Sequence, residues 1–270
     1  MINKKMFGNR RGVLYTLSLT LFALIIIALA ALFFDSSSSS ESRLIELAFT
    51  QKIVDLDDSI SKSMSKIVLN GMNMNLDYSN SSFTISHFDS FEDSGLDDSI
   101  SSFVSNVESD FRIVNISWDD FESQKPIVFD SINYIVKDSK TIEILENEKI
   151  TGYEINLSFS SNITSCVDSI SGGGDLSFIF NAVSIDGGCS FNQADVDDID
   201  IDLVVGGVGI SLDIESDGEL DFSSNASINS TIKVLFDEND LVSGFSAPIE
   251  VLFLDVNNFS KRSNLSLVWS

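Results

Sequence analysis

Hydrophobic and polar positions follow three successive patterns along the 270-residue chain. Residues 13–34 carry no charge and are mostly apolar, residues 42–70 repeat apolar positions every three or four residues, and from residue 72 apolar and polar positions alternate. These patterns are typical of a membrane-spanning helix, an amphipathic helix and β-strands, respectively. The Ser-rich segment 35–41 predicts a flexible linker between the two helices.

The amphipathic pattern places one apolar stripe along a single helix face, because its members are spaced by three or four residues. Asn70 and Gly71 then provide a helix stop signal. We expect the stripe either to pack on the following β-rich domain or to contact a helix of a second copy. Its members are Ile45, Phe49, Ile53, Leu56, Ile60, Met64 and Ile67.

The alternating part of the chain predicts a mainly β fold, an antiparallel sandwich-like domain over 72–270. Short strands separated by regular turn signals favour antiparallel sheets over a parallel one. One short helix is predicted at 94–108, where the apolar spacing is again helical. The predicted strands lie at 83–88, 111–118, 127–136, 151–160, 175–184, 196–205, 209–215, 220–236 and 249–256.

The net charge of −25 is distributed very unevenly. Residues 1–12 contain four basic side chains and no acid, whereas all 41 acids lie from Asp35 onward. The positive-inside rule therefore predicts a cytoplasmic tail at 1–12 and an exterior location after the span. At ~1.5 Å per residue, 13–34 reaches about 33 Å, enough to cross a bilayer core. The lipid bilayer is thus an expected partner, and the acidic exterior excludes nucleic acid.

The sequence Arg10-Arg11-Gly12-Val13 resembles the cleavage region of archaeal class III signal peptides, in which a basic stretch and a glycine precede a hydrophobic helix. This resemblance is limited to the N-terminal region. It implies cleavage between Gly12 and Val13, with the helix kept as an anchor or as a filament core. Many pilins carry Glu at the fifth mature position, where this chain has Leu17.

Other N-terminal fates stay open beside this pilin-like processing. The helix is also long enough to serve as a permanent, uncleaved anchor. Ordinary signal peptidase favours small residues such as Ala28 and Ala30, but the apolar run continues to Phe34, which argues for retention. The whole layout resembles small archaeal surface proteins that have one N-terminal span, a helix and a β-rich exterior.

Eight Asn-x-Ser/Thr acceptor patterns mark candidate N-glycosylation sites. Chance matches account for part of this number, but the predicted topology places all eight outside the membrane, mostly on strand faces that contact solvent. Glycosylation of at least some of them is therefore expected. The acceptor residues are Asn80, Asn115, Asn156, Asn162, Asn225, Asn229, Asn258 and Asn264.

Cys166 and Cys189 are the two cysteines of the chain. In an exterior domain such a pair predicts a disulfide, worth about 3 kcal/mol by loop-entropy arithmetic. Two buried free thiols are the alternative. A zinc site is not indicated, because two cysteines and the single His87 do not make a tetrahedral ligand set.

The sequence 196–215 predicts an acidic hairpin with a two-residue turn at Gly206-Gly207. In this register Leu203 faces Ile210 and Asp200 faces Asp213. Like charges directly opposite destabilise paired strands, so either the side chains splay into solvent or a hard cation such as calcium relieves the repulsion. The residues of this candidate metal site are Asp198, Asp200, Asp213 and Glu215.

No catalytic motif stands out in the sequence. His87 has no companion histidine, the nucleophile-elbow spacing is absent, and the glycine runs do not join a strand to a phosphate-binding helix. The chain is therefore expected to be a membrane-anchored surface protein with a structural, adhesive or binding role, associating with itself or with envelope components. The alternative is an anchored hydrolase that uses paired carboxylates on envelope sugars or peptides.

Overall fold

The structure is a computed structural model that divides the chain into two compact units, Met1–Leu56 and Asp57–Ser270. The side chains of 5–21, 33–42, 44–45 and 260–261 are outside its description. Its backbone is described for residues 5–79, 81–129, 131–236, 244–254 and 260–267.

Helix α1, Lys5–Gly71, is one continuous element. The predicted linker at 35–41 is helical, which differs from the expectation of a flexible joint. Serine costs only a fraction of a kcal/mol relative to alanine in a helix, about 0.5 kcal/mol per residue, so a short serine run between Leu- and Ala-rich turns is tolerated. The helix ends at Gly71, as the stop signal predicted.

The described apolar side chains at 22–32 are exposed, with fractional exposures between 49% for Ile25 and 66% for Leu32. Among residues whose side chains are described, no helix combines the length and the hydropathy needed to cross a membrane. The predicted span 13–34 lies partly outside those residues, at 13–21 and 33–34.

Within the second unit, the end of α1 contributes to the hydrophobic core through one face. Ile60 and Met64 of the predicted stripe are buried, and Val68 is buried beside the half-buried Ile67. Two short helices follow, α2 at Leu96–Asp110 and α3 at Asp119–Gln124. A Cβ atom on Gly71 would lie 2.5 Å from Leu96 Cδ1, so a larger residue would require the Leu96 side chain of α2 to shift.

Fourteen strands are described in the second unit. They are β1 Met74–Tyr78, β2 Ser82–Asp89, β3 Val114–Ser117, β4 Pro126–Phe129, β5 Ile132–Asp138, β6 Thr141–Ile144, β7 Ile150–Ser158, β8 Ile163–Ser184, β9 Gly187–Val205, β10 Val208–Ile214, β11 Leu220–Ser224, β12 Ile228–Phe236, β13 Phe245–Leu254 and β14 Ser260–Leu267.

The strands form one hydrogen-bonded sheet in the order β1-β2-β12-β7-β8-β9-β10-β11-β6-β5-β4-β13-β14, with β3 also paired to β13. All pairs are antiparallel except β7 with β8, which is parallel and was not expected. The mainly β prediction is therefore confirmed.

The predicted strands at 127–136 and 220–236 are each divided into two. The first is the hairpin β4–β5. The second separates into β11 and β12, because the chain turns at 225–227, where Ser224 Oγ donates a hydrogen bond to the carbonyl oxygen of Ala226 at 3.0 Å. Strands β1, β6 and β14, helix α3 and the first parts of β8 and β9, at 163–174 and 187–195, were missed. Strands β1 and β6 and helix α3 are short, and the apolar alternation of β14 is weak.

The sheet folds over so that its two halves face each other across a shared core. Layer 1 contains β1, β2, β12, β7 and the residues 176–184 and 187–196 of β8 and β9; layer 2 contains the remaining strands with 163–170 and 199–205. Phe83 of β2 lies 4.6 Å from Phe129 of β4 and 5.7 Å from Phe245 of β13, measured between ring centroids. These contacts join strands that are far apart in the sheet order, which gives a sandwich arrangement.

Strands β8 and β9 pass from one layer into the other as a single long pair. Their register shifts between Ile170 and Gly172 and again between Gly172 and Leu176. Such irregularities bend a strand pair and increase its twist. A Cβ atom on Gly174 would lie 2.2 Å from the carbonyl oxygen of Val196, so glycine is needed where the two strands cross between layers.

Candidate functional site

The hairpin β9–β10 has the predicted turn and the predicted register. Gly206 and Gly207 have φ values of +58° and +83°, which glycine adopts without strain. Leu203 pairs with Ile210, and Asp200 pairs with Asp213. The apolar members of this hairpin are buried in the core, so its acids are directed to the outer face of layer 2.

The acids of this hairpin belong to a longer acidic row that crosses four neighbouring strands. Asp213 pairs with Asp221 of β11, and Asp221 pairs with Glu143 of β6. We call Asp200, Asp213, Asp221 and Glu143 the acidic row. Of the predicted metal residues, Asp200 and Asp213 lie in this row. Asp198 and Glu215 are not paired with each other in the ladder, because β10 ends at Ile214.

Lys137 of β5 partly neutralises the acidic row. Its Nζ lies 2.8 Å from Glu143 Oε2 and 3.5 Å from Asp221 Oδ1. The Asp221 Oδ1 atom is shielded from solvent, and the ammonium group of Lys137 is the cation that lies beside it. The hydrogen bond that Lys137 Nζ donates to Glu143 is the main factor that raises the pKa of Lys137. Lys137 therefore partly neutralises the half of the row that contains Glu143 and Asp221.

The other half of the row has no such cation among the described residues. Partial burial raises the pKa of Asp213, and the nearby carboxylates of Asp200, Glu215 and Asp221 raise it further. Burial and neighbouring acids, Glu143 first among them, likewise raise the pKa of Glu219. Both shifts mean that the folded protein holds these protons more tightly than the unfolded chain does.

Residues 215–219 form a turn that adds further carboxylates at the end of the row. Carboxylate oxygens of Glu143, Glu219 and Asp221 lie within 4.8 Å of one another, and so do those of Glu215, Asp217 and Glu219. The Tyr153 hydroxyl donates a hydrogen bond at 2.5 Å to the carbonyl oxygen of Gly218, which holds the turn against layer 1. Such oxygen-rich groups suit a hard cation such as calcium.

A shallow depression of about 380 Å³ lies on the acidic row. Asp200, Asp213 and Asp221 line it together with Asp202 and Lys137. Sequence reasoning found the two acids of the β9–β10 hairpin, because the hairpin is local. It missed Glu143, Asp217, Glu219 and Asp221, which reach the same surface through the pairing of β10, β11 and β6.

The outer face of layer 1 carries a different row, made of amides and hydroxyls. Cross-strand pairing joins its members one after another across all six strands of the layer. Asn181 Nδ2 donates a hydrogen bond to Asn156 Oδ1 at 3.0 Å, and the hydroxyl oxygens of Ser86 and Thr231 lie 3.3 Å apart. We call this the neutral row: Asn75, Ser86, Thr231, Asn156, Asn181 and Ser190.

Four described glycosylation acceptors are exposed in strands or turns: Asn115, Asn225, Asn229 and Asn264. Asn162 is also exposed, and its Nδ2 donates to Asp186 Oδ2 at 2.7 Å. Asn156 is half-buried in the neutral row. Asn80 and Asn258 lie outside the described residues. Accessibility thus favours the exposed acceptors over Asn156, and glycosylation itself stays a prediction.

Cys166 and Cys189 are joined by a disulfide with a Cα–Cα distance of 6.6 Å, as predicted. Cys166 lies in the part of β8 that belongs to layer 2, and Cys189 lies in the part of β9 that belongs to layer 1. These two strand segments are the last strands of their layers on the same side of the sandwich. The bond therefore ties the two layers together where the sheet bends.

His87 is buried between the layers, with 1% of its surface exposed. Its Nδ1 lies 3.1 Å from the carbonyl oxygen of Met72, and its Nε2 hydrogen-bonds the hydroxyl of Tyr134. Burial lowers the pKa of His87 to about 4, so the ring is neutral at pH 7. Because the ring is enclosed and both of its nitrogens have partners, it is a structural part of the core and has no access to a substrate.

The predicted processing residues Gly12 and Val13 lie in α1, and their side chains are outside the described part of the chain. Comparison with protein-family models, with curated proteins and with solved structures gives no match for this chain.

Proposed function

We propose that this protein is a membrane-anchored cell-surface protein with a structural, adhesive or binding role, whose N-terminus is cytoplasmic and whose β-rich unit is extracellular. The Cys166–Cys189 disulfide is the observation that carries this proposal. Disulfides persist in oxidising compartments outside the cytoplasm and are rare within it. The basic tail and the apolar segment at 13–34 supply the orientation and the anchor.

Pilin-like processing at Gly12 belongs to the same proposal. Helix α1 continues without a break from the apolar segment to Gly71, which supports a role as one long stalk or filament core. A flexible joint at 35–41 would have opposed that role. Leu17, in place of the acid that many pilins carry, remains the departure from the pilin pattern.

Thiol labelling of intact cells tests the location of the β-rich unit. After reduction with a membrane-impermeant phosphine, an impermeant maleimide should label Cys166 and Cys189 without permeabilisation. In a chain that keeps its basic tail, an Asn9→Cys variant is the matched control and should gain its additional label only after permeabilisation; a chain cleaved after Gly12 lacks this label. Labelling of Cys166 and Cys189 solely in permeabilised cells would contradict an exterior location.

Mass spectrometry of the native N-terminus separates the possible fates of the anchor. A chain that begins at Met1 is a plain anchor, and one that begins at Val13 has been processed as a prepilin. A chain that begins at Ala31 has lost its anchor, which would overturn the membrane-anchored proposal.

A second candidate function, an anchored hydrolase, is favoured by the depression on the acidic row. Asp213, with its raised pKa, and the neighbouring Asp200 could divide the roles of general acid and general base between them. Hydrolysis of envelope polysaccharide that is lost in both Asp213→Asn and Asp200→Asn, but not in Asp202→Asn, would support it. Equal turnover by all four proteins would exclude it.

A further inference from the structure

Residues 187–194 form an open sheet edge, which we call the β9 edge. Here β9 pairs with β8 on one side only, since its pairing with β10 begins further along, at Ile199. Within the described residues, no other backbone group bonds to the open side. Unpaired edge groups of this kind are templates for the addition of another strand.

The β9 edge lacks the usual protection against strand addition. Its residues carry no ionisable side chain apart from Cys189, which is held in the disulfide. Phe191 of the edge stacks on Phe180 of β8, with ring centroids 5.9 Å apart. By contrast, the neighbouring edge of β8 carries Asp168 and is interrupted by register shifts, and β1 is only five residues long.

Among the described residues, strand β14 forms a second open edge, which we call the β14 edge. It pairs with β13 on one side and is the last strand of the sheet order. Its charged residues are both basic, Lys261 and Arg262. Arg262 contacts Glu250 of β13, yet 69% of its side chain remains exposed. In a chain of net charge −25, a basic sheet edge stands out.

The two edges are complementary in length and in charge. Each offers eight residues, and the β9 edge is bounded by Asp186 and Asp195. A φ of +58° at Asp195 marks the end of the regular edge. In full antiparallel overlap, Asn192 lies opposite Arg262, and the acid at the end of one edge approaches the basic end of the other. Two β9 edges paired in the same way would instead bring acid against acid.

We propose that a second copy of this chain adds its β14 edge to the β9 edge, so that copies join head to tail. This interface uses two different surfaces, so the assembly extends beyond a dimer, as an open chain or, where the rotation between copies closes, as a ring. The inference deepens the proposed structural role at the cell surface and rests on it.

Sedimentation velocity of the full-length chain in detergent micelles tests this pairing, over a range of protein concentrations. The wild type should form species larger than a dimer as concentration rises. Asn192→Lys places a cation opposite Arg262 and should weaken association about tenfold, whereas Asn192→Glu should strengthen it, because opposed charges across a strand pair change sign. These two variants alter the same exposed position, so they are matched controls for each other.

Charge reversal on the other edge completes the design. Arg262→Glu alone should weaken association, and Arg262→Glu combined with Asn192→Lys should restore it. Ser99→Lys on the exposed face of α2 should leave association unchanged. Thermal melting of every variant separates lost pairing from lost folding, since rescue requires a folded partner.

A synthetic peptide with the sequence of β14, SKRSNLSL, should cap the β9 edge and shorten the assemblies, and a scrambled peptide should not. A wild type that stays monomeric at every concentration would overturn the proposal. So would assemblies that respond equally to Asn192→Lys and Asn192→Glu. Because sedimentation does not depend on membrane orientation, this failure is distinguishable from failure of the thiol-labelling test.

Discussion

The outer faces of the two layers have the same alternation of polar and apolar residues but carry different polar side chains. Both consist of polar residues that alternate with buried apolar ones, and each carries a row that pairs from strand to strand. The acidic row of layer 2 places Asp200, Asp213 and Asp221 side by side, whereas the neutral row of layer 1 links amides and hydroxyls by hydrogen bonds.

This difference indicates whether folding depends on the side chains of each row. Like charges opposite each other lower the stability of a strand pair. In the acidic row Lys137 reduces this repulsion, and neighbouring carboxylates contribute to the raised pKa values of Asp213 and Glu219. The neutral row needs no such compensation. The acidic row is therefore a feature that folding tolerates and does not require.

The largest expected loss of stability follows from removing the disulfide that joins the two layers. Replacing Cys166 and Cys189 together by serine should lower the free energy of unfolding by about 3 kcal/mol, because the unfolded chain gains the freedom of the closed loop. Urea denaturation measures this loss. Reduced wild-type protein should show the same midpoint, and an unchanged midpoint in both would contradict the role assigned to the bond.

Acidification tests the core that lies between the two faces. The pKa of His87 is lowered to about 4 from its ordinary value of 6.5, so the unfolded chain takes up this proton first as the pH falls. The stabilisation is therefore complete above pH 6.5 and is lost on acidification toward pH 4. Between pH 7 and pH 5 we expect a loss of about 2 kcal/mol.

Denaturant unfolding at both pH values measures this loss, and His87→Gln should remove most of it. The raised pKa values of Asp213 and Glu219 act in the opposite sense, since they favour the folded state as the pH falls through them. Stability of the wild type that is equal at pH 7 and pH 5, together with an equal response in His87→Gln, would contradict a buried neutral histidine.

Placing opposed carboxylates in the neutral row should give layer 1 part of the charge repulsion that is present in layer 2. Asn156→Asp combined with Asn181→Asp replaces a hydrogen-bonded pair by two opposed carboxylates. We expect a loss of about 1 kcal/mol at low salt, which diminishes as salt screens the charges. The single variant Asn181→Asp is the control and should lose less; equal losses in both would mean that repulsion is not the cause.

The smallest expected effect is the reverse change in the acidic row. Asp213→Asn removes one charge from between Asp200 and Asp221 and should raise the free energy of unfolding by about 0.5 kcal/mol at low salt. Asp202→Asn, which faces Ser211 instead of an acid, is the matched control and should change little.

Titration with calcium chloride and with sodium chloride at equal ionic strength separates screening from cation binding. If both salts shift the melting temperature of the wild type equally, screening alone reduces the charge repulsion within the acidic row. A larger shift with calcium that disappears in Asp213→Asn would identify a bound cation. A loss of stability in Asp213→Asn would contradict the view that the row opposes folding.

Local patterns in the sequence predicted the parts of this structure that depend on few residues. The Gly206-Gly207 turn and its alternating neighbours were enough to give the β9–β10 register, because a two-residue turn leaves one choice of pairing. Cys166 and Cys189 could be paired, since no other cysteine competes.

The parts that were missed depend on residues far apart in sequence. Asp221 and Glu143 join the acidic row only because β11 pairs with both β10 and β6. The parallel pair β7–β8 and the passage of β8 into a second layer follow from long-range packing, which alternation does not encode. The helical serine segment at 35–41 was missed for a different, local reason, since its composition indicated a linker although serine is tolerated within a helix.

The disulfide across the bend also has a mechanical consequence. When the chain is pulled from its two ends, tension passes through the Cys166–Cys189 bond and bypasses everything between these residues. At up to ~3.6 Å per residue, about 80 Å of contour length stays hidden from extension. In a force-extension trace the oxidised domain should therefore lengthen in a shorter step than the reduced one.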